Sequence, residues 1–537
     1  MNQSRSGIYD AIVIGAGHNG LVTAGYLAKA GLKVAVFEKR HIEGGCAVTE
    51  EKWPGFKIST CAYVNSLFRP EIVADLELKK FGYEMLPRHP SSFTPLPDGR
   101  HLFLGADQRM CREQIAKFST KDAEAYPAYE AFLVEIADLL EPIMRMIAPN
   151  FSRLGWSDFS SYVPFMLKKR AVLKRRWPEI VRLLAGSAAD MLNAWFESDE
   201  LKATLATDAI IGMNASPSTP GTAYVLFHHV MGECDGARGV WGYMRGGMGG
   251  LSQSIAKACR NLGVDIFTDA PVEKVLIRRS SAVGIVIKGG AEFQAKVVIS
   301  NADPNVTFNR LIGSHELPAE FIENVRLINY DSASVKINLA LSQLPDFRAC
   351  AGAEAGPQHR GTIHICPGMR YMESAFADSI AGMPSRAPIL ECTIPSVIDD
   401  TLAPAGCHVM NIFVQYGPYQ LQTATTWDEQ REAFGDRCLD VLEEYAPNIK
   451  DAILHREVLT PLDLEREYSL TGGNIFHGRL TLDQMFSMRP VPGFSDHRTP
   501  LRGLYLCGSG THPGGGVMGT PGLNAARQVI RDKAWRH

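Results

Sequence analysis

Apolar runs punctuated by glycine set the pattern at the start of the chain. Ala11-Ile-Val-Ile14 leads into a glycine-rich turn, small and apolar residues follow from Leu21 to Ala30, and a second apolar run, Val34-Ala-Val-Phe37, ends in Glu38. Short continuous apolar runs bounded by turn residues predict strands buried on both faces, and the longer stretch between them predicts a helix. A second block of this kind opens at Gly246-Gly-Met-Gly-Gly250. It predicts a helix over Leu251 to Leu262, a strand over Val264 to Phe267, and strands over 272–277, 282–287 and 293–299 that end at Asn301-Ala-Asp-Pro304. Helix, parallel strand, meander and parallel strand return the chain to the first sheet. From Leu76 to about Leu201 apolar residues recur at helical spacing, as in Asp122 to Leu140, which predicts a largely helical insertion. Residues 208–250, rich in glycine, proline and aromatics, predict an irregular pocket-lining segment; its adjacent His228 and His229 point different ways on a helix or a strand and fit satisfied histidines better than a metal pair. Alternation over Ser334 to Leu341 and His408 to Val414, with a helix over Asp428 to Tyr445, predicts a second sheet-and-helix layer sharing a cleft with residues 76–234.

The turn after the first strand carries chemistry. Gly15, Gly17 and Gly20 stand at G-x-G-x-x-G spacing. Gly15 permits the tight turn, Gly17 leaves room for a pyrophosphate to approach the backbone, and Gly20 lets the helix pack close to the sheet. The phosphates then meet the free N–H groups of a helix that opens with His18 and Asn19. Glu38, followed by Lys39, is placed to accept hydrogen bonds from a ribose diol and repels a 2′-phosphate. This is a dinucleotide cradle.

Composition narrows the class. The chain has 537 residues, 45% hydrophobic and 21% charged, enough for a globular protein of two intertwined domains. A net charge of −3 argues against a general nucleic-acid binder. Eleven cysteines are scattered without a C-x-x-C pair, which predicts reduced thiols in a cytoplasmic compartment and makes no disulfide framework, metal site or redox-active dithiol legible. With nine residues before the first strand, no signal peptide is expected. The longest uncharged run, Ala209 to Gly232, is interrupted by prolines, glycines and the histidine pair, so no membrane span is expected. Phe165 to Trp177 carries Lys168, Lys169, Arg170, Lys174, Arg175 and Arg176 between apolar residues. It reads either as a peripheral contact with an anionic membrane surface or as a solvated basic face.

Beyond Glu38, Gly44-Gly45 bring further backbone up to the first turn. Many FAD enzymes of the glutathione-reductase type carry a glycine pair here, often followed by arginine where this chain has Cys46, and the resemblance tilts the cofactor from NAD to FAD. Near the C-terminus, Gly508-Ser-Gly-Thr-His-Pro-Gly-Gly-Gly-Val517 follows a strand, but Pro513 takes the third fingerprint position and no acid-ended strand follows. A glycine-dense loop opening a helix at about Val517 instead places N–H groups against a flavin ring.

The N-terminal fingerprint, the Gly246 to Pro304 block and this loop together resemble the carotenoid and retinoid oxidoreductase family. Ile394-Pro-Ser, Thr401-Leu-Ala-Pro-Ala-Gly-Cys-His408, Gly472-Gly-Asn-Ile-Phe-His477 and Arg489-Pro-Val-Pro look closest to one branch, named for a disulfide chemistry that the cysteine spacing does not support. The resemblance implies an α/β fold: a Rossmann-like FAD-binding domain of glutathione-reductase type (1–75, 235–306 and 490–537) interleaved with an α+β substrate domain (76–234 and 307–489). It implies an FAD held by Gly15, Gly17, His18, Asn19, Gly20, Glu38, Lys39, Gly44, Gly45, Val272 at the adenine, and Gly508, Gly516, Val517 and Met518 at the flavin. The expected activity is hydride transfer from a C–H bond of an apolar, polyene-like substrate onto flavin N5, with a quinone, dioxygen or a nicotinamide as acceptor. His512 and His477 are the candidate proton-moving or loop-holding groups near the flavin. The rival classes are a flavin amine oxidase, which calls for an aromatic cage and often a lysine facing N5, and an FAD-binding protein with an interaction role.

Overall fold

The computed structural model describes residues 8–153, 156–234, 236–352 and 354–536. The strand Tyr9–Ile14 pairs in parallel along both edges, with Val34–Phe37 and with Glu292–Ser300, and is buried on both faces because Ala11 and Val13 pack into one apolar cluster and Ile12 and Ile14 into another. Asp265–Phe267 extends the sheet beyond Val34–Phe37, and Leu504–Leu506 extends it beyond Glu292–Ser300. The first half of Glu292–Ser300 also pairs antiparallel with Ser281–Ile287, which pairs with Val272–Arg278, completing a seven-stranded sheet with a meander. Register brings Ile14, Phe37, Ser300 and Leu506 to one edge, the carboxyl edge of the parallel strands. In open α/β sheets ligands bind at that edge.

Three helices, His18–Lys29, Met248–Asn261 and Thr520–Asp532, cover one face and share an apolar core with Val13, Val36 and Ile299. Small residues let them approach: a Cβ on Gly25 would lie 3.2 Å from Leu76, and one on Gly522 only 2.2 Å from the Asn19 carbonyl oxygen. The Thr23 hydroxyl locks the same contact by donating to the Gly522 carbonyl at 3.0 Å.

The second sheet runs in the order Ile453–Leu459, Ser334–Leu341, His408–Gln415, Ile389–Thr393, Thr362–Ile365, Ser92–Pro95, His101–Leu104. Its alternation is clean: Val335, Ile337, Leu339, Ile363, Leu390, Cys392 and Ile412 pack under the helix Trp427–Tyr445. The opposite face carries Thr362, His364, Glu391, Asn411, Lys336 and Asn338, all buried. A polar sheet face normally meets water. Here it meets the segment after the first hairpin: Tyr63 donates to Glu391 at 3.2 Å and Asn338 donates to the Thr60 carbonyl at 3.3 Å.

Three expectations need correcting. The stretch from Leu76 is not helical throughout, since after a short 3-10 helix at Leu78–Phe81 the strands Ser92–Pro95 and His101–Leu104 form the edge of the second sheet before the helices Gln108–Ile115, Thr120–Met144 and Trp156–Ala185 begin. The 208–250 stretch is not wholly irregular, because Thr222–Val230 is a helix carrying both histidines. The C-terminal helix starts at Thr520 and not near Val517, because Gly516 and Gly519 hold positive φ and prolong the loop.

Gly522→Ala is expected to force the last helix off the first and lower stability by about 1–3 kcal/mol, an overpacking cost, seen as a fall in thermal midpoint; an unchanged midpoint would show that the contact yields freely.

Candidate functional site

A cavity of about 310 Å³ lies at the carboxyl edge of the parallel strands. Gly15, Gly17, His18 and Asn19 line it from the first turn, Glu38 and Lys39 from the end of the second strand, Gly45 and Val272 from the flanking loop and meander, and Gly516 and Val517 from the C-terminal loop. Gly20, Gly44, Gly508 and Met518 stand behind this wall. A Cβ on Gly20 would meet the Gly15 carbonyl at 2.2 Å, one on Gly44 the Ala47 carbonyl at 2.6 Å, and one on Gly508 the Asn301 carbonyl at 2.6 Å. Met518 is buried and donates its amide to Gly516 at 3.0 Å.

The wall fits an FAD. A Cβ on Gly17 would lie 2.7 Å from Asn301 Nδ2, so bare backbone is required there. Gly17 caps the helix His18–Lys29 without a side-chain hydrogen bond, which leaves first-turn N–H groups for a pyrophosphate. Glu38 is aimed by the Ala16 amide at 2.8 Å and its own neighbour Arg40 at 3.0 Å, with lone pairs remaining for a diol. His18 Nε2, Asn19 Oδ1 and His477 Nδ1 are buried without partners at this cavity.

Burial lowers the His477 pKa to about 3, assisted by Arg489, and lowers His18 to about 4, assisted by His477, so both rings are neutral. His477 is held at φ +57°. Arg489, fully buried, ties its loop to the glycine loop by donating to the carbonyls of Phe476, Gln484 and Ser509. His512 lines neither cavity of the site: its Nε2 faces the Ile143 carbonyl at 3.2 Å, and burial takes it to about 3.

A second cavity, of about 440 Å³, shares Ala62, Tyr63, Ile211, Ile475, Phe476, Gly516 and Val517 with the first. Tyr126, Tyr129, Leu133, Leu205 and Leu226 give it apolar lining. Arg88, Asp208, His364 and Glu391 add buried polar groups to the same wall. Arg88 donates to the Trp241 carbonyl and to Thr362 Oγ1, each at 2.8 Å. Burial raises Asp208 to about 7 against the pull of Arg88, and burial together with Asp208 raises Glu391 to about 8. His229 lines this cavity and bonds the Val225 carbonyl at 2.9 Å, while His228 bonds the Gly515 carbonyl at 3.1 Å.

Lys336, on the polar face of the second sheet, lines the first cavity beside the junction. Its ammonium donates to Asn338 and Asn411, each at 2.8 Å, and stands 5.1 Å from the Tyr63 ring centroid. Burial lowers it to about 7. Strand alternation assigns Lys336, His364 and Glu391 to solvent, and Arg88 and Asp208 lie off the strands in distant parts of the chain, so sequence spacing does not bring them together.

Along the helix Trp156–Ala185, Arg175 and Arg176 pair with Glu135, whereas Lys168, Arg170 and Lys174 are exposed beside Met166, Leu167 and Trp177. Among the described residues no helix is long and apolar enough to cross a membrane.

Residues 20–530 match the family described as flavin containing amine oxidoreductase. The chain is 46% identical over 543 residues to the rat pyridine nucleotide-disulfide oxidoreductase domain-containing protein 2, covering 98% of this chain and 94% of the relative. It is 27% identical to a limonene dehydrogenase subunit of Castellaniella defragrans, covering 97% and 94%. Its fold is similar to that of putrescine oxidase bound to putrescine, with a TM-score of 0.61 at 17% identity over 98% of this chain and 99% of that one.

The buried carboxyls leave a pH signature. Glu391 holds a proton up to about pH 8 in the folded chain but releases it near its ordinary 4.5 when unfolded. The folded state therefore binds more protons across that window, and stability falls as pH rises through it. Glu391→Gln is expected to flatten this slope in thermal midpoints taken across the window; a slope equal to wild type would assign it elsewhere.

Proposed function

The chain belongs to the family of flavin-containing amine oxidoreductases, and from that premise we propose that this FAD-dependent oxidoreductase takes a hydride from a C–H bond of a largely apolar, isoprenoid-like substrate. Bound FAD supplies the two-electron acceptor at flavin N5, with a quinone, dioxygen or a nicotinamide as the final acceptor. The wall shared by the two cavities carries this reading: a flavin seated in the first would face a substrate held in the second.

In this reading the lining residues of the first cavity hold the cofactor, Glu38 at the ribose, Val272 at the adenine, and Gly516 and Val517 at the flavin, while His477 and Arg489 hold the loop. Tyr126, Tyr129, Leu133 and Leu205 bind the hydrocarbon and exclude water. Loss of a hydride from one carbon leaves a proton to be lost from its neighbour if a double bond is to form. Asp208, raised to about 7, has the affinity for that task, with Glu391 as its protonated companion. The similarity to a component of a limonene dehydrogenase supports a terpene-like substrate. A second reading, amine oxidation, is favoured by one observation, the lysine Lys336 at the cofactor cavity.

Anaerobic mixing separates the two. A monoterpene or acyclic polyene is expected to bleach the flavin, amines to leave it oxidised, and Asp208→Asn to slow the bleaching by about a hundredfold at unchanged flavin content. Bleaching by an amine alone would replace the first reading with the second.

The exposed face of the helix Trp156–Ala185 supports a peripheral contact with an anionic bilayer, since Leu167 and Trp177 are each 61% exposed beside Lys168, Arg170 and Lys174. Liposomes containing anionic lipid are expected to sediment the protein at low salt and release it at high salt. Equal binding after charge reversal at Lys168, Lys169, Arg170 and Lys174 would leave the helix as a solvated face.

A further inference from the structure

Cys46 and Cys61 form no sequence motif, yet the fold brings them together. The hairpin of Thr49–Trp53 and Phe56–Ser59 pairs Thr49 with Ser59, and past its end the Ala62 amide donates to the Cys46 carbonyl at 3.0 Å. The ladder thus carries Cys46 and Cys61 to neighbouring positions, where both pack against the cluster of Leu459, Leu464 and Leu470. Neither is in a disulfide, and both line the cofactor cavity. Arg40 and Lys39 stand beside Cys46, and Tyr468 stands beside Cys61.

We propose that Cys46 and Cys61 are a two-electron redox couple that exchanges electrons with the bound flavin. In the oxidising direction the two thiols give up two protons and two electrons as their sulfurs bond, and oxidised flavin takes up both to become the dihydroflavin. In the reverse direction the S–S bond breaks and the thiols recover them, so no further reactant is needed. The neighbours suit this chemistry: Cys61, then the Arg40 and Lys39 charges, hold the Cys46 thiol below the usual thiol range, while burial pushes Cys61 well above it. Deprotonation, which a thiol needs in order to attack, is therefore favoured at Cys46 over Cys61. None of the other described cysteines lines either cavity.

The inference rests on the FAD reading of this cavity, and its test separates the two. Holoenzyme purified in air, where dioxygen reoxidises the flavin and leaves the couple as disulfide, is made anaerobic and titrated with dithionite. About four electrons per flavin are expected, two for each centre, falling to about two in Cys46→Ser and in Cys61→Ser. Alkylation of the unfolded wild-type chain, mapped by peptide mass spectrometry, is expected to find Cys46 and Cys61 joined before reduction and free after it. This map needs no variant to fold. Two electrons per flavin in wild type, or both cysteines alkylated before reduction, overturns the couple. A chain that purifies without flavin absorbance fails the cofactor reading instead, and a Cys46–Cys61 disulfide found in it would remove the link to flavin.

Discussion

Bare backbone at the carboxyl edge of the parallel sheet is the constraint on which the remaining structure depends. The first turn, the Gly44-Gly45 stretch and Asn301 close on one another until no side chain fits: a Cβ on Gly45 would lie 3.1 Å from the Gly17 Cα, and one on Gly17 2.7 Å from Asn301. Where this bare backbone meets the cavity, at Gly15, Gly17 and the start of the first helix, free N–H groups make a good place for a pyrophosphate. The last helix serves the same geometry, since Gly522 presses against the Asn19 carbonyl at the start of the first helix. Segments far apart in sequence therefore owe their positions to contacts that only glycine permits.

The second sheet supplies the other half of the site by an inversion of the usual pattern. Its helix-covered face is an ordinary apolar core, but its polar face is sealed against the segment from Thr60 to Tyr63 and not wetted. Sealing ionisable groups in this way costs free energy unless they are paired, hydrogen-bonded or neutralised. Each solution is present: Lys336 is hydrogen-bonded by two asparagines, Arg88 by Thr362 and the Trp241 carbonyl, and Asp208 and Glu391 are pushed toward their neutral forms. Such groups are retained where they touch a ligand. Arg88, Asp208 and Glu391 line the second cavity and Lys336 the first, so both carry buried polar groups that a purely hydrocarbon tunnel would lack.

The sequence by itself determined the cofactor half of the protein. Gly15, Gly17, Gly20 and Glu38 sit within one strand–helix–strand unit, so local spacing alone carries their geometry, and the doubly buried strands advertise themselves as unbroken apolar runs. Only the tertiary structure decided the second cavity. Lys336 and Glu391 lie on alternating strands whose polar positions look solvent-facing until another segment covers them, and Arg88 and Asp208 come from unrelated parts of the chain. His512 and His477, equal candidates by composition, were separated by loop packing: His477 lines the cofactor cavity, and His512 is spent on the Ile143 carbonyl. Cys46 and Cys61 meet through a hairpin, and no spacing rule foresees that. Local chain geometry is written in neighbouring residues; which faces lose their water is settled only when distant segments pack.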